Sequence, residues 1–174
     1  DALPKERTAK HRHRIEHASV LNPSLIKRIK KLGLLVCVQP HFVVSDFWIP
    51  KRLGSERAQR VYAFRSLIEK DVRLAASSDA PVEPLNPLLG VWAAVTRESS
   101  VEERLSLEEA LRAYTLDAAY FSFEEKLKGS IEMGKYADLA VLSDNPFRVK
   151  PQEIKDIRVL MTIVDGKVIY SAND

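Results

Sequence analysis

The chain has 174 residues, enough for one hydrophobic core, and its 45% hydrophobic and 29% charged content is that of an ordinary soluble globular protein. The net charge is +3 with both signs mixed, and the strongly basic stretch is confined to Lys5–Arg14. That argues against nucleic-acid binding, which calls for a basic face with interleaved aromatics. No apolar run approaches the roughly 18 residues of a membrane span, and no secretory signal is visible, so a cytoplasmic setting with no membrane partner is expected. Lys, Arg and Glu are abundant and Asn and Gln few, a thermophile-like balance.

Asp1-Ala2-Leu3-Pro4 leads into Lys5–Arg14, which reads as a solvated helix end continuing from something upstream. His13 to Ser19 reads as a strand with Ile15, His17 and Ser19 on one face. A helix follows: Asn22 can cap it, Pro23 takes its first position, Gly33 ends it, and Leu25, Ile29 and Leu32 form its apolar stripe. Leu34 to Val38 is an unbroken apolar run, as in a parallel strand covered on both faces, and it ends in Gln39-Pro40-His41. The lone Cys37 inside that run reads as core, since one thiol forms no intrachain disulfide.

A loop with Trp48 and Pro50 leads to a helix expected over Ser55–Lys70, buried through Val61, Phe64 and Ile68. Val72 to Asp79 reads as a third strand. After a loop carrying Pro81, Pro84 and Pro87, Asn86-Pro87 opens a helix through Leu88, Trp92 and Val95, and Ser106-Leu107-Glu108-Glu109 is a capping box for the next. Alternating strands and helices with short links point to parallel βα units. The end of the chain differs: Gly129–Gly134 is turn-rich, Ala137–Leu142 reads as a strand, and Val159–Val164, Asp165-Gly166 and Lys167–Tyr170 form a hairpin with a favoured two-residue turn. The expected division is 1–128 for the βα part and 129–174 for a small β module.

His17 and Asp79 both close strands, and polar residues at strand C-termini line the active-site mouth of a βα barrel. An imidazole and a carboxylate there suit a divalent metal and a general base. From position alone two readings stand for each: ligand or bonded core histidine for His17, catalytic carboxylate or turn residue for Asp79. His41 either touches substrate or decorates its loop. The His11/His13 pair sits among Lys10, Arg12 and Arg14, which disfavours a cation. His13 would also lie about 13 Å from His17 at roughly 3.3 Å per residue.

Arg14-Ile15-Glu16-His17-Ala18, Gln39-Pro40-His41 and Ser77-Ser78-Asp79-Ala80-Pro81-Val82 come in the order and spacing of the amidohydrolase superfamily, and resemble its family-3 branch. Ala110–Thr115 with Ala118-Ala119, Gly129–Leu142 and the Asp165-Gly166-Lys167-Val168 hairpin resemble the same family's tail, so the resemblance runs from about Arg12 to Tyr170. It implies the C-terminal part of a (β/α)8 TIM barrel, strands six to eight, with the C-terminal strands of a β-sandwich. His17 would then be a metal ligand. Asp79 would be a ligand and the base that takes the attacking water's proton and passes it to the leaving nitrogen. The cofactor would be a divalent metal of zinc type and the substrate a small amide-type molecule, with His41 at the substrate. The family's strand-one His-x-His and strand-five histidine have no place here, so the chain alone is expected to bind metal poorly and to be inactive. The alternative is a non-catalytic module derived from a hydrolase fold, either regulatory or self-assembling as a homo-oligomer through open strand edges.

Overall fold

A computed structural model of the chain describes residues 11–172. At its centre is a parallel sheet of β1 (Arg14–Glu16), β2 (Leu35–Val38) and β3 (Leu74–Ala76), in that order. The register sets Glu16, Cys37 and Ala75 level, so the three strands end along one edge. All four residues of the central β2 are buried. Val36 and Val38 pack into the main core with Leu74 and Ala76. Leu35 and Cys37 meet Ala75 and Phe121 in a second cluster. Two covered faces require an unbroken apolar run. Burial pushes the Cys37 thiol up to about 11, so it stays protonated at neutral pH, in keeping with a core role.

The helix end expected over Lys5–Arg14 lies outside the described residues up to position 10; His11–His13 are irregular and Arg14 opens β1. Between β1 and β2, α1 (Pro23–Lys31) starts where the Asn22 side chain accepts the Leu25 N–H at 2.9 Å. Its buried residues are Ile26 and Ile29, while Leu25, expected on that stripe, is 41% exposed. Successive residues turn about 100° around a helix, so the i, i+3 pair faces the core and its neighbour points outward.

The stretch after β2 departs most from expectation. Two short helices, α2 (Phe42–Ser45) and α3 (Ile49–Leu53), occupy the loop with Trp48 and Pro50. The helix expected over Ser55–Lys70 is two pieces, α4 (Ser55–Ala58) and α5 (Phe64–Glu69). Between them Val61 forms an antiparallel bridge with Val20, and Tyr62 turns left-handed at φ 56°. The buried Arg97 donates to the Tyr62 carbonyl at 2.6 Å and to the Val61 carbonyl at 3.3 Å. Carbonyls satisfied by a distant guanidinium are not left for a helical ladder.

After β3, α6 (Pro87–Thr96) is capped by Asn86, whose side chain accepts the Leu88 N–H at 3.0 Å. It buries Leu88, Val91 and Ala94; Trp92 and Val95, expected on that face, are only half-buried. The capping box forms in full ahead of α7 (Leu107–Tyr114): the Glu109 N–H donates to Ser106 Oγ at 3.2 Å and the Ser106 N–H to Glu109 Oε2 at 2.7 Å. The short α8 (Leu116–Phe121) follows and carries Phe121 to the second cluster.

Arg65 grips the same Glu109 carboxylate with bonds of 2.6 and 2.5 Å. The guanidinium, and then the cap, hold the Glu109 carboxyl below the usual carboxylate range against the opposing effect of burial. A pKa depressed by folding stabilises the protein above the ordinary carboxylate value, and that contribution is lost as pH falls through the depressed one. Glu109→Gln is therefore expected to lower Tm at neutral pH and to narrow the gap to the parent on acidification. Parallel Tm–pH curves for the two proteins would contradict this.

The last part of the chain forms an antiparallel sheet, β4 (Leu139–Leu142), β5 (Val159–Val164) and β6 (Lys167–Ser171). Its hairpin turns on Asp165 and Gly166, with φ 50° and 74°, the pair of positive values that a type I′ turn needs. The 3-10 turn Pro151–Asp156 packs against α6 and puts Ile154 into the main core.

Candidate active site

β1 stops at Glu16 because His17 and Ala18 both turn left-handed, at φ 67° and 47°. The His17 N–H still donates to the Cys37 carbonyl at 2.8 Å, so the imidazole is anchored at the strand end. His17 is thus past the strand and does not share a pleat face with Ile15 and Ser19, as alternation suggested. Asp79 lies three residues beyond β3 and is also left-handed, at φ 59°. Non-glycine residues rarely adopt that conformation, and such positions gather at functional sites. With β2 between them, the ends that carry His17 and Asp79 are about 10 Å apart at a strand spacing of roughly 4.8 Å.

Side chains tie the three strand ends together. His17 Nδ1 lies 2.9 Å from Gln39 Oε1. Gln39 Nε2 donates to Ser77 Oγ at 2.9 Å. The Tyr114 hydroxyl of α7 reaches the Ser77 carbonyl at 3.4 Å. His17 is an exposed residue, and its ring sits 6.4 Å from the Phe42 ring. His41, expected at the substrate, sits three residues past β2 with Nδ1 at 2.5 Å from Glu83 Oε2. Glu83 is 9% exposed. The Asp79 carboxylate makes no hydrogen bond among the described residues, so its oxygens are available.

Gln39 was visible in the sequence only as part of a motif. Its position two residues past Cys37 on an apolar strand was the available signal. Ser77 and Tyr114 were read as strand and helix residues, and nothing in the proline-rich loop marked Glu83 as a partner of His41. A separate cavity of about 360 Å3, lined by none of these residues, opens between the α2–α4 segment and Arg97. Val43, Ile49 and Val61 line it, with Tyr62, whose hydroxyl donates to Asp46.

His17 and Asp79 are donor types that suit a divalent cation. Among the described residues, however, no three His, Cys, Asp or Glu side chains come together to hold one. His11 and His13 stack on each other with ring centroids 4.6 Å apart and are not joined by a third donor.

A family model described as the amidohydrolase family matches residues 1–170. YtcJ of Bacillus subtilis, named as an amidohydrolase, is 38% identical over 181 residues, covering 98% of this chain and 34% of its own length. The N-substituted formamide deformylase of Arthrobacter pascens is 30% identical over 181 residues, covering 98% of this chain and 33% of its own. The crystal structure of an uncharacterized metal-dependent hydrolase from Pyrococcus horikoshii OT3 superposes with a TM-score of 0.73 at 38% identity, over 79% of this chain and 30% of that one. The chain thus spans about a third of the length of the curated relatives it matches.

Proposed function

Because the chain belongs to the amidohydrolase family, we propose that it is part of a metal-dependent hydrolase of C–N bonds in small amide-type molecules. The observation that carries this reading is the shared edge of the parallel sheet, where His17 and Asp79 follow the two outer strands and Gln39 links His17 to Ser77. In this reading β1, β2 and β3 are strands six, seven and eight of a (β/α)8 barrel, residues 1–128 are barrel and 129–174 belong to a β-sandwich. Val168 and Ile169 of β6, 56% and 65% exposed, are a surface that a second sheet or a second copy would cover. A cytoplasmic location goes with the same reading.

His17 and Asp79 would hold a divalent cation, zinc by analogy with the deaminase structure described with bound Zn, together with donors from outside the described residues. Such a cation supplies a water acidified enough to attack an amide carbon at neutral pH. The Asp79 carboxylate, with no hydrogen bond of its own among the described residues, takes the proton of the attacking water and returns it to the leaving nitrogen. His41, braced by Glu83 at 2.5 Å, donates to or accepts from the substrate beside that centre.

Two donors hold a cation weakly, since a catalytic zinc has three protein ligands. The isolated chain should therefore lose zinc on desalting and show no hydrolysis. In a Zn2+ titration it should still show weak binding that disappears in His17→Ala and in Asp79→Ala. Near-stoichiometric zinc after desalting would overturn the inactive-chain reading, and absence of any response at His17 or Asp79 would overturn the site itself.

A further inference from the structure

Gln39 is 2% exposed, so both ends of its amide need partners inside the protein. Its Nε2 has two hydrogens and two acceptors, Ser77 Oγ at 2.9 Å and the softer Cys37 Sγ at 4.0 Å. The Cys37 thiol points its own hydrogen at Ser77 Oγ, 3.6 Å away, which leaves the sulfur lone pairs facing the amide nitrogen. In the structure the oxygen, Oε1, faces His17 at 2.9 Å from Nδ1, and the amide nitrogen faces Ser77 Oγ.

An amide oxygen only accepts, so the proton of that bond sits on His17 Nδ1. A neutral imidazole carries one N–H, and Nε2 is then a bare lone pair with no partner among the described residues. His41, at the next strand end, is held through the same ring nitrogen by Glu83. A distant partner on one ring nitrogen commonly decides which atom of a histidine is free to ligate.

We propose that Gln39, hydrogen-bonded to Ser77, is a positioning residue that locks His17 in the Nδ1–H tautomer and reserves Nε2 as its donor atom. The ligand role of that atom rests on the reading of His17 given above; the tautomer does not. The rotated amide would put Nε2 against Nδ1, force the proton onto His17 Nε2 and leave no lone pair facing outward, so the two arrangements predict opposite spectra.

The test is two-bond 1H–15N NMR of the 174-residue chain with 15N-histidine, recorded well above the imidazole titration, with His17→Ala to assign the signals. The parent should show a protonated Nδ1 and an unprotonated Nε2. Gln39→Leu should shift His17 towards the Nε2–H form that imidazole prefers in water. Gln39→Glu, whose carboxylate also accepts from Nδ1, should restore the parental pattern. Ser77→Ala removes only a hydroxyl and should loosen the tautomer; it keeps the test open if Gln39→Leu does not fold. With Zn2+ alone as the probe, affinity at His17 should fall about 10- to 100-fold in Gln39→Leu and recover in Gln39→Glu. A parental Nε2–H tautomer, or an unchanged tautomer in Gln39→Leu, overturns the proposal even if Zn2+ still binds His17. The predicted tautomers with no Zn2+ response in any variant uphold the positioning role and remove the ligand reading alone.

Discussion

Gly90→Ala is expected to lower stability by about 2 kcal/mol, a fall in Tm of roughly 4–8 °C. In an exposed helix the same change would stabilise by up to about 1 kcal/mol. The sign reverses here because α6 meets α7 at this residue. A methyl group on Gly90 would overlap the Tyr114 hydroxyl and lie 2.7 Å from its Cζ. Tyr114 is half-buried against the main core, and its ring must shift for the methyl to fit. Its hydroxyl also reaches the Ser77 carbonyl, two residues before Asp79, so the displacement would run into the candidate site. Tyr114→Phe alone should be nearly neutral, since that bond is long at 3.4 Å. In the Gly90→Ala background the same change should recover only part of the loss, since the ring Cζ would still lie 2.7 Å from the new methyl, a coupling that a double-mutant cycle reads directly. A Gly90→Ala protein as stable as its parent would show that the two helices do not touch there.

Ile154→Ala should have the larger effect, about 3 kcal/mol, or roughly 6–12 °C in Tm. Ile154 is 1% exposed and belongs to the main core, although it comes from the stretch after Gly129 that the sequence assigns to a separate β module. The 3-10 turn that bears it lies against α6, where Lys155 sits 4.9 Å from the Trp92 ring centre. If this anchor joins the antiparallel sheet to the βα part, the variant should unfold in one transition at lower temperature. Two separate transitions would mean that the sheet melts on its own, and a shift under about 1 kcal/mol would mean that Ile154 is not docked.

The candidate residues His17 and Asp79 were legible in the sequence as polar groups just past strand-like stretches, Arg14-Ile15-Glu16 and Leu74-Ala75-Ala76. Neither local pattern nor spacing showed that both would turn left-handed there, or that Gln39 would link His17 to Ser77. The fold followed the same division. Asn22-Pro23, the Ser106–Glu109 box, the β2 run and the Asp165-Gly166 turn are each decided by hydrogen bonds and side-chain contacts within a few residues, and the structure reproduces them. The helix expected over Ser55–Lys70 failed because Val61 pairs with Val20, 41 residues away, and Arg97 takes the carbonyls of Val61 and Tyr62. The partnership of Glu83 with His41 and the fit of Tyr114 on Gly90 are contacts of the same kind.

The sequence by itself determined the caps, the turn, the buried central strand and the order of chemical groups at the strand ends, since those depend on near neighbours and on hydrophobic period. Tertiary structure alone decided where a helix must break, which face of each helix is buried, which ring nitrogen of His17 is engaged and which glycine must remain a glycine. Those outcomes depend on which distant group arrives to satisfy a buried polar atom or to fill a space, and nothing in the local chain encodes that arrival.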